Sequence, residues 1–199
     1  MSGAFPISTA KFRTLGIKSI QSTIISKSVS GKKLSRQIDN QRWAFTIEII
    51  TAKRSDVYGE LMAFIIKQRS GKENFTIIPP EVEDARGTAS GTPNGTASAG
   101  ATSITLGGTG TGTLKAGDFI KFANHSKVYM VVADQSDIST GTLTIEPPLT
   151  TAVSSSDIQY DDVPFTVYLT NDVQEFGAVG SGQDGTLLYQ FEMDVEEAL

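Results

Sequence analysis

The chain has 199 residues, 39% of them hydrophobic, with 19 Gly, no Cys and a formal net charge of −5. That length suits one large domain or two small ones, and the lack of Cys excludes a disulfide framework and any thiolate metal site. No run reaches the roughly 18 apolar residues of a membrane-spanning helix, and residues 1–7 lack the basic and apolar regions of a signal peptide, so the expectation is a soluble, unprocessed protein.

Charge is spread unevenly. Residues 1–80 hold 13 Lys and Arg against 5 Asp and Glu, whereas residues 81–199 hold 4 against 17. A basic first part raises nucleic-acid binding, but its bases gather no more densely than adjacent pairs such as Lys32-Lys33, and no aromatic stacking platform interleaves with them. Opposite-sign regions fit head-to-tail packing of identical subunits better.

Residues 15–30 are rich in Ile, Val, Thr and Ser, which favours a strand. Residues 30–33 read as a turn or loop. From Arg42 to Ile50 the pattern alternates: Trp43, Phe45, Ile47 and Ile49 share one face, with Arg42, Ala44, Thr46 and Glu48 on the other. The two strands together predict a long hairpin, with Lys32, Lys33 and Arg36 in its loop. Residues 55–70 predict the one clear helix. Val57, Leu61, Phe64 and Ile65 recur at helical spacing, and Tyr58 and Met62 widen the stripe. Ser55 or Asp56 is placed to cap its start and Gly71 to stop it. A short strand over 74–78 ends at Pro79-Pro80.

Composition shifts after Pro80. Residues 88–101 are rich in Gly, Ser, Thr and Ala and contain Pro93-Asn94-Gly95, so a loop with a turn is expected. A brief strand over 103–106 precedes a Gly-rich connection. Residues 113–149 then form a β-module: a turn at Ala116-Gly117-Asp118, two apolar strands, and a third that stops at Pro147-Pro148. A polar stretch over 150–156 and a short strand over 157–160 follow. Strong alternation returns at 164–170 and 185–195. In the second run Leu187, Tyr189, Phe191, Met193 and Val195 share a face. The loop between them holds a short strand near residues 173–179.

This order predicts a mainly β fold in two units. Residues 1–80 carry too few strands to close a barrel, and residues 164–199 supply the missing ones. Residues 81–163 read as a small β-domain, led by the Gly/Ser/Thr-rich loop, inserted after Ile78.

Candidate chemistry is thin. His125 is the only His, so a His metal site or a Ser-His-Asp triad has a single member; a polar turn is the expectation. Asp118 reads as a turn cap. The acids at Asp134 and Asp137 are too sparse for an EF-hand loop. Residues 107–112 are Gly-rich, but lack the Lys-Ser/Thr ending and the following helix of a phosphate loop. Trp43 falls on a core face. No catalytic, metal or cofactor residue is assigned, and an enzyme is not expected. Lys32, Lys33 and Arg36 are either a solvated turn or a contact between subunits.

An ordered series of short motifs resembles bacteriophage tail proteins of the distal tail protein type, which share the tail-tube fold. The series runs through Phe5-Pro6, Ser30-Gly31, Gln41-Arg42-Trp43, the helix with Ala63-Phe64-Ile65, and residues 75–79. It continues through Leu114 to Ile120, residues 129–132 and residues 146–149. The resemblance implies a split β-barrel or sandwich with one flanking helix. It also implies a homo-hexameric ring at the distal end of a virion tail, between the tube and the baseplate or tip, assembled in the host cytoplasm. The inserted module would project from the ring or contact neighbours. Rings of this type join sheets of adjacent subunits, which deals with open strand edges. DNA would pass through the lumen without specific binding, since an acidic wall repels phosphate. No cofactor or membrane partner is implied. The large C-terminal galectin-like domain of longer relatives is not in this sequence, so carbohydrate binding does not carry over. The alternatives are a tube or tube-initiator subunit and a host-surface glycan-binding module.

Overall fold

The computed structural model describes residues 3–6, 12–38, 40–80 and 82–199. Glu81, the expected first residue of the insertion, lies outside them, as do residues 1, 2 and 7 of the N-terminal stretch. The fold is mainly β, with one α-helix and a closed six-stranded barrel.

The first strands form a hairpin in two parts. β1 (Phe12–Ile20) pairs antiparallel with β4 (Arg42–Lys53). Beyond Ile20 the chain continues as β2 (Thr23–Lys27) and β3 (Lys33–Gln37), which among the described residues pair only with each other. The alternation read in β4 is real: Trp43, Phe45, Ile47 and Ile49 are all buried. The loop is shorter than expected. Lys33 and Arg36 belong to β3, because residues 33–37 pair in register with β2.

The helix α1 (Gly59–Lys67) is preceded by a π-helical turn, Arg54–Tyr58. Leu61 and Ile65 are its buried stripe, and Phe64 packs edge-on against Phe75. Two expectations about its ends are corrected. Neither Ser55 nor Asp56 caps it, since the Ser55 hydroxyl donates to the Asp56 carboxylate instead. Gly71 does not adopt the left-handed conformation; Arg69 (φ 53°) and Ser70 (φ 60°) do. Glycine is required at 71 for another reason: a Cβ there would sit 2.6 Å from the Leu169 carbonyl oxygen.

The rest of this outer sheet comes from both ends of the chain. β5 (Phe75–Ile77) pairs with β12 (Phe165–Leu169), β12 with β14 (Leu187–Glu197), and β14 with β4. The order is β1-β4-β14-β12-β5, with β13 (Gly177–Ser181) also on β14. The early and late segments therefore interleave: β14 lies between β4 and β12. A parallel bridge from Ala4 to Thr76 covers the β5 edge.

The closed barrel runs β10-β7-β6-β11-β8-β9. Its strands are β6 (Pro93–Ala97), β7 (Ser103–Gly108), β8 (Phe119–Phe122), β9 (Val128–Val131), β10 (Thr142–Glu146) and β11 (Val153–Gln159). Ile104, Ile120, Phe122, Tyr129 and Ile145 fill it to zero exposure, as side chains do in barrels of this size.

Two loop expectations fail here. Pro93-Asn94-Gly95 is not a turn but the start of β6. Proline suits the first residue of a strand. Gly95 is needed because a Cβ would sit 2.7 Å from Ile104 and 2.8 Å from Phe122, so the barrel wall there has no room for a side chain. The polar stretch over 150–156 contributes half of β11. Only Val153 and Ile158 are buried along it, and a register shift separates them, which hides the period-two signal.

Strands β8 and β9 explain why residues 119–131 read as apolar runs rather than alternating ones. Ile120, Phe122, Tyr129 and Val131 face the barrel interior, while Phe119, Val128 and Met130 join the apolar cluster of the outer sheet. A strand buried on both faces loses its alternation.

Candidate assembly surfaces

The β2–β3 arm is built from residues that elsewhere would make a core. Every residue of both strands is exposed. Ile24, Ile25 and Leu34 are each more than half exposed, and Val29 at the tip is fully so. Residues directly opposite share a face of the ribbon. Ile24 faces Arg36 and Ser26 faces Leu34 on one side; Ile25 faces Ser35 and Lys27 faces Lys33 on the other. The Lys27–Lys33 pair sets two like charges across the ladder, an arrangement that favours an external anion. Lys32 lies in the turn, whose backbone amide donates to the Ser28 hydroxyl at 3.1 Å. The structure thus brings Lys32, Lys33 and Arg36 onto one arm, with Lys33 and Arg36 on opposite faces of it.

The second surface is internal, where the barrel meets the outer sheet. Phe119 packs edge-on against Trp43 (5.0 Å between ring centres) and against Phe165 (5.6 Å). The Trp43 indole Nε1 donates to the Val128 carbonyl at 2.9 Å. Beside this apolar contact lies a buried ion pair between Lys127 at the head of β9 and Glu197 at the end of β14. Glu197 also accepts the backbone amides of Trp43 (3.1 Å) and Val128 (2.9 Å), and Lys127 donates to the Gln41 side chain at 2.9 Å. A buried charge pair is tolerable only when its remaining hydrogen-bonding capacity is satisfied, and here each partner has further bonds. Burial pulls the Lys127 pKa down, and Glu197 acts against that shift.

Sequence reasoning missed this pair, although β14 carried a signal for it. The alternation that buries Phe191, Met193 and Val195 puts Glu197 on the same face. A carboxylate in step with a core stripe calls for a buried cation.

The linkers into and out of the barrel carry a third feature. The Asp162 amide donates to the Asp84 carboxylate at 3.2 Å, and Glu83 and Asp161 lie nearby. Burial, then Asp84 and Asp162, push the Glu83 pKa up. The Asp161 pKa is also raised, chiefly by burial and the Asp84 charge.

The other candidates settle into structural roles. Asp118, almost fully buried, accepts the amides of Lys115 (2.7 Å) and Arg86 (3.1 Å) and the Arg86 guanidinium (3.1 Å), fixing the turn before β8. His125 bridges Asn124 and Tyr129 at 2.7 and 2.8 Å in the β8–β9 turn, and burial lowers its pKa. Phe119, Phe122 and Tyr129 are buried, so these three offer no platform for a sugar ring.

Residues 83–161, the barrel with its linkers, match the family model for the B domain of distal tail protein pb9. That match supports assigning the barrel, residues 83–161, to the phage distal tail protein family. No curated protein matches the chain. A distal tail protein has a structural role in a phage tail, acts among other tail components, and resides in the virion.

Proposed function

We propose that six copies of this chain form a ring at the distal end of a phage tail, joining the tube to the baseplate or tip, after assembly in the host cytoplasm. The carrying observation is the β2–β3 arm, whose strands, among the described residues, pair only with each other and are exposed throughout. An isolated hairpin is marginally stable in water, so an arm rich in exposed Ile, Leu and Val makes sense when a neighbour covers it. Lys32, Lys33 and Arg36 then serve as contact residues between subunits.

In this reading residues 1–80 and 164–199 form the ring-building unit and residues 81–163 form an inserted unit mounted on it. The buried Lys127–Glu197 pair gives the inserted barrel one fixed seat. The protein works by shape, without turnover and without a cofactor. The acidic second part of the chain fits a lumen that lets DNA pass without holding it.

Native mass spectrometry and electron microscopy of the purified protein, alone and with its tube and tip partners, test the ring. A mass of six subunits and an annular particle are expected. A monomer under all these conditions would sink the proposal. Copy number in purified virions separates a single ring from a tube subunit, which would be present many times over.

A further inference from the structure

The arm and strand β13 lie at opposite ends of the outer sheet. The arm leaves it beside Ile20 and Arg42, whereas β13 joins β14 near Leu188, which pairs with Lys53. The 12 residues of β4 span roughly 36 Å at ~3.3 Å per residue. A contact between these two surfaces is therefore head-to-tail, between copies.

β13 has the features of an edge left open for pairing. Its sequence, Gly177–Ser181, contains no charge and no proline, and all five residues are exposed. Soluble proteins normally guard such an edge with Lys, Pro or a covering segment. Among the described residues, β13 pairs with β14 alone. A groove of about 530 Å³ runs beside it, lined by Val173, Glu175, Val179 and Glu192 among others. Val173 and Val179 are 74% and 57% exposed. Phe176, stacked on Phe191 at 5.0 Å, holds the wall of the groove to the sheet.

The arm matches this groove in three independent ways. It has unpaired strand edges where β13 has one. It offers exposed Ile25, on the ribbon face that also carries Lys27 and Lys33, where the groove offers exposed valines. It crowds Lys27 against Lys33 where the groove carries two carboxylates. We propose that the arm of one copy adds a strand to the β13 edge of the next, with Glu175 and Glu192 receiving its lysines. The inference rests on the ring reading above and names the surfaces that make the contact.

The chain has no Cys, so an introduced pair reports cleanly. In the assembled protein, Ile25→Cys with Val179→Cys should give a ladder of covalent oligomers on oxidation, while either single variant stops at dimers. Glu175→Lys with Glu192→Lys should raise the concentration needed for assembly ~100-fold or more, since like charges now meet. Adding Lys27→Glu and Lys33→Glu to that variant should restore assembly. Thermal melts of each variant check that the fold is intact. If rings form, no ladder appears, and the charge-reversed variant assembles as wild type does, this contact is wrong while the ring stands. If wild-type protein never assembles, with or without its tail partners, the contact and the ring fall together.

Discussion

Lys33 on the arm and Lys127 at the junction are the same side chain, each at the head of a β-strand and followed by an aliphatic residue. Lys33 faces a second lysine and stands in water. Lys127 faces Glu197, is 2% exposed, and shares in a closed set of hydrogen bonds. A charge in water is screened and interacts weakly, whereas a charge withdrawn from water depends on its partner. The junction is thus a contact already made within the chain, and in the proposed ring the arm is one made between chains. One region should govern whether the chain folds as a unit, and the other whether folded chains meet.

The sharpest way to break the comparison is to unpair the junction. Lys127→Met leaves Glu197 buried without its cation and should destabilise the protein by ~3–5 kcal/mol. The double variant Lys127→Met, Glu197→Gln should recover much of that loss, because no buried charge remains. Chemical denaturation of the three proteins measures both effects. A single-variant loss below ~1 kcal/mol would show that the pair is not shielded as its geometry implies.

Removing the apolar half of the junction comes next. Phe119→Ala deletes a ring held between Trp43 and Phe165 and should cost ~3 kcal/mol or slightly more. Hydrogen exchange should then rise in β8 and β9 before it rises in β4. Uniform loss of protection would argue that barrel and sheet unfold as one body.

The acidic linkers should give a smaller effect with a definite sign. The Glu83 and Asp161 pKa values are raised in the fold from 4.5 and 3.8. Their stabilising contribution is therefore complete below those unfolded values and is lost as pH rises through the raised ones. Asp161→Asn should remove part of that dependence and stabilise the protein at pH 7 by at most about 1 kcal/mol, the groups being largely solvated. Melting profiles of both proteins between pH 4 and pH 7 would decide it, as ~1 unit on either side of that range adds little.

The smallest effect on stability belongs to the arm. Ile25→Ser should change the unfolding free energy by no more than ~0.5 kcal/mol, yet light scattering should show weakened assembly. A large loss of stability in dilute monomer would mean that the arm packs on its own chain.

Much of the outer sheet was legible because its strands bury one face only. Trp43, Phe45, Ile47 and Ile49 alternate with polar residues, as do Phe191, Met193 and Val195, and both readings hold. The helix was legible from its apolar stripe, although its ends were not. Capping depends on where one carboxylate or hydroxyl turns, and Ser55 turned to Asp56. The barrel was harder. β6 passes through Pro93-Asn94-Gly95, whose composition says turn, because a small barrel needs a glycine where Ile104 and Phe122 crowd the wall. For the arm, Lys32, Lys33 and Arg36 were expected in a loop, whereas Lys33 and Arg36 lie in strand β3.

By itself, then, the sequence determined which segments carry an apolar face, that one helix flanks them, and that a β-module interrupts a series of strands. Those properties are local: they depend on the period of side chains along a few residues. Only the tertiary structure decided that β14 slots between β4 and β12, that Glu197 meets Lys127 across 70 residues, and that the arm and the β13 edge lie at opposite ends of one sheet. Such pairings depend on which buried faces and charges satisfy one another in three dimensions. Spacing along the chain does not encode that choice.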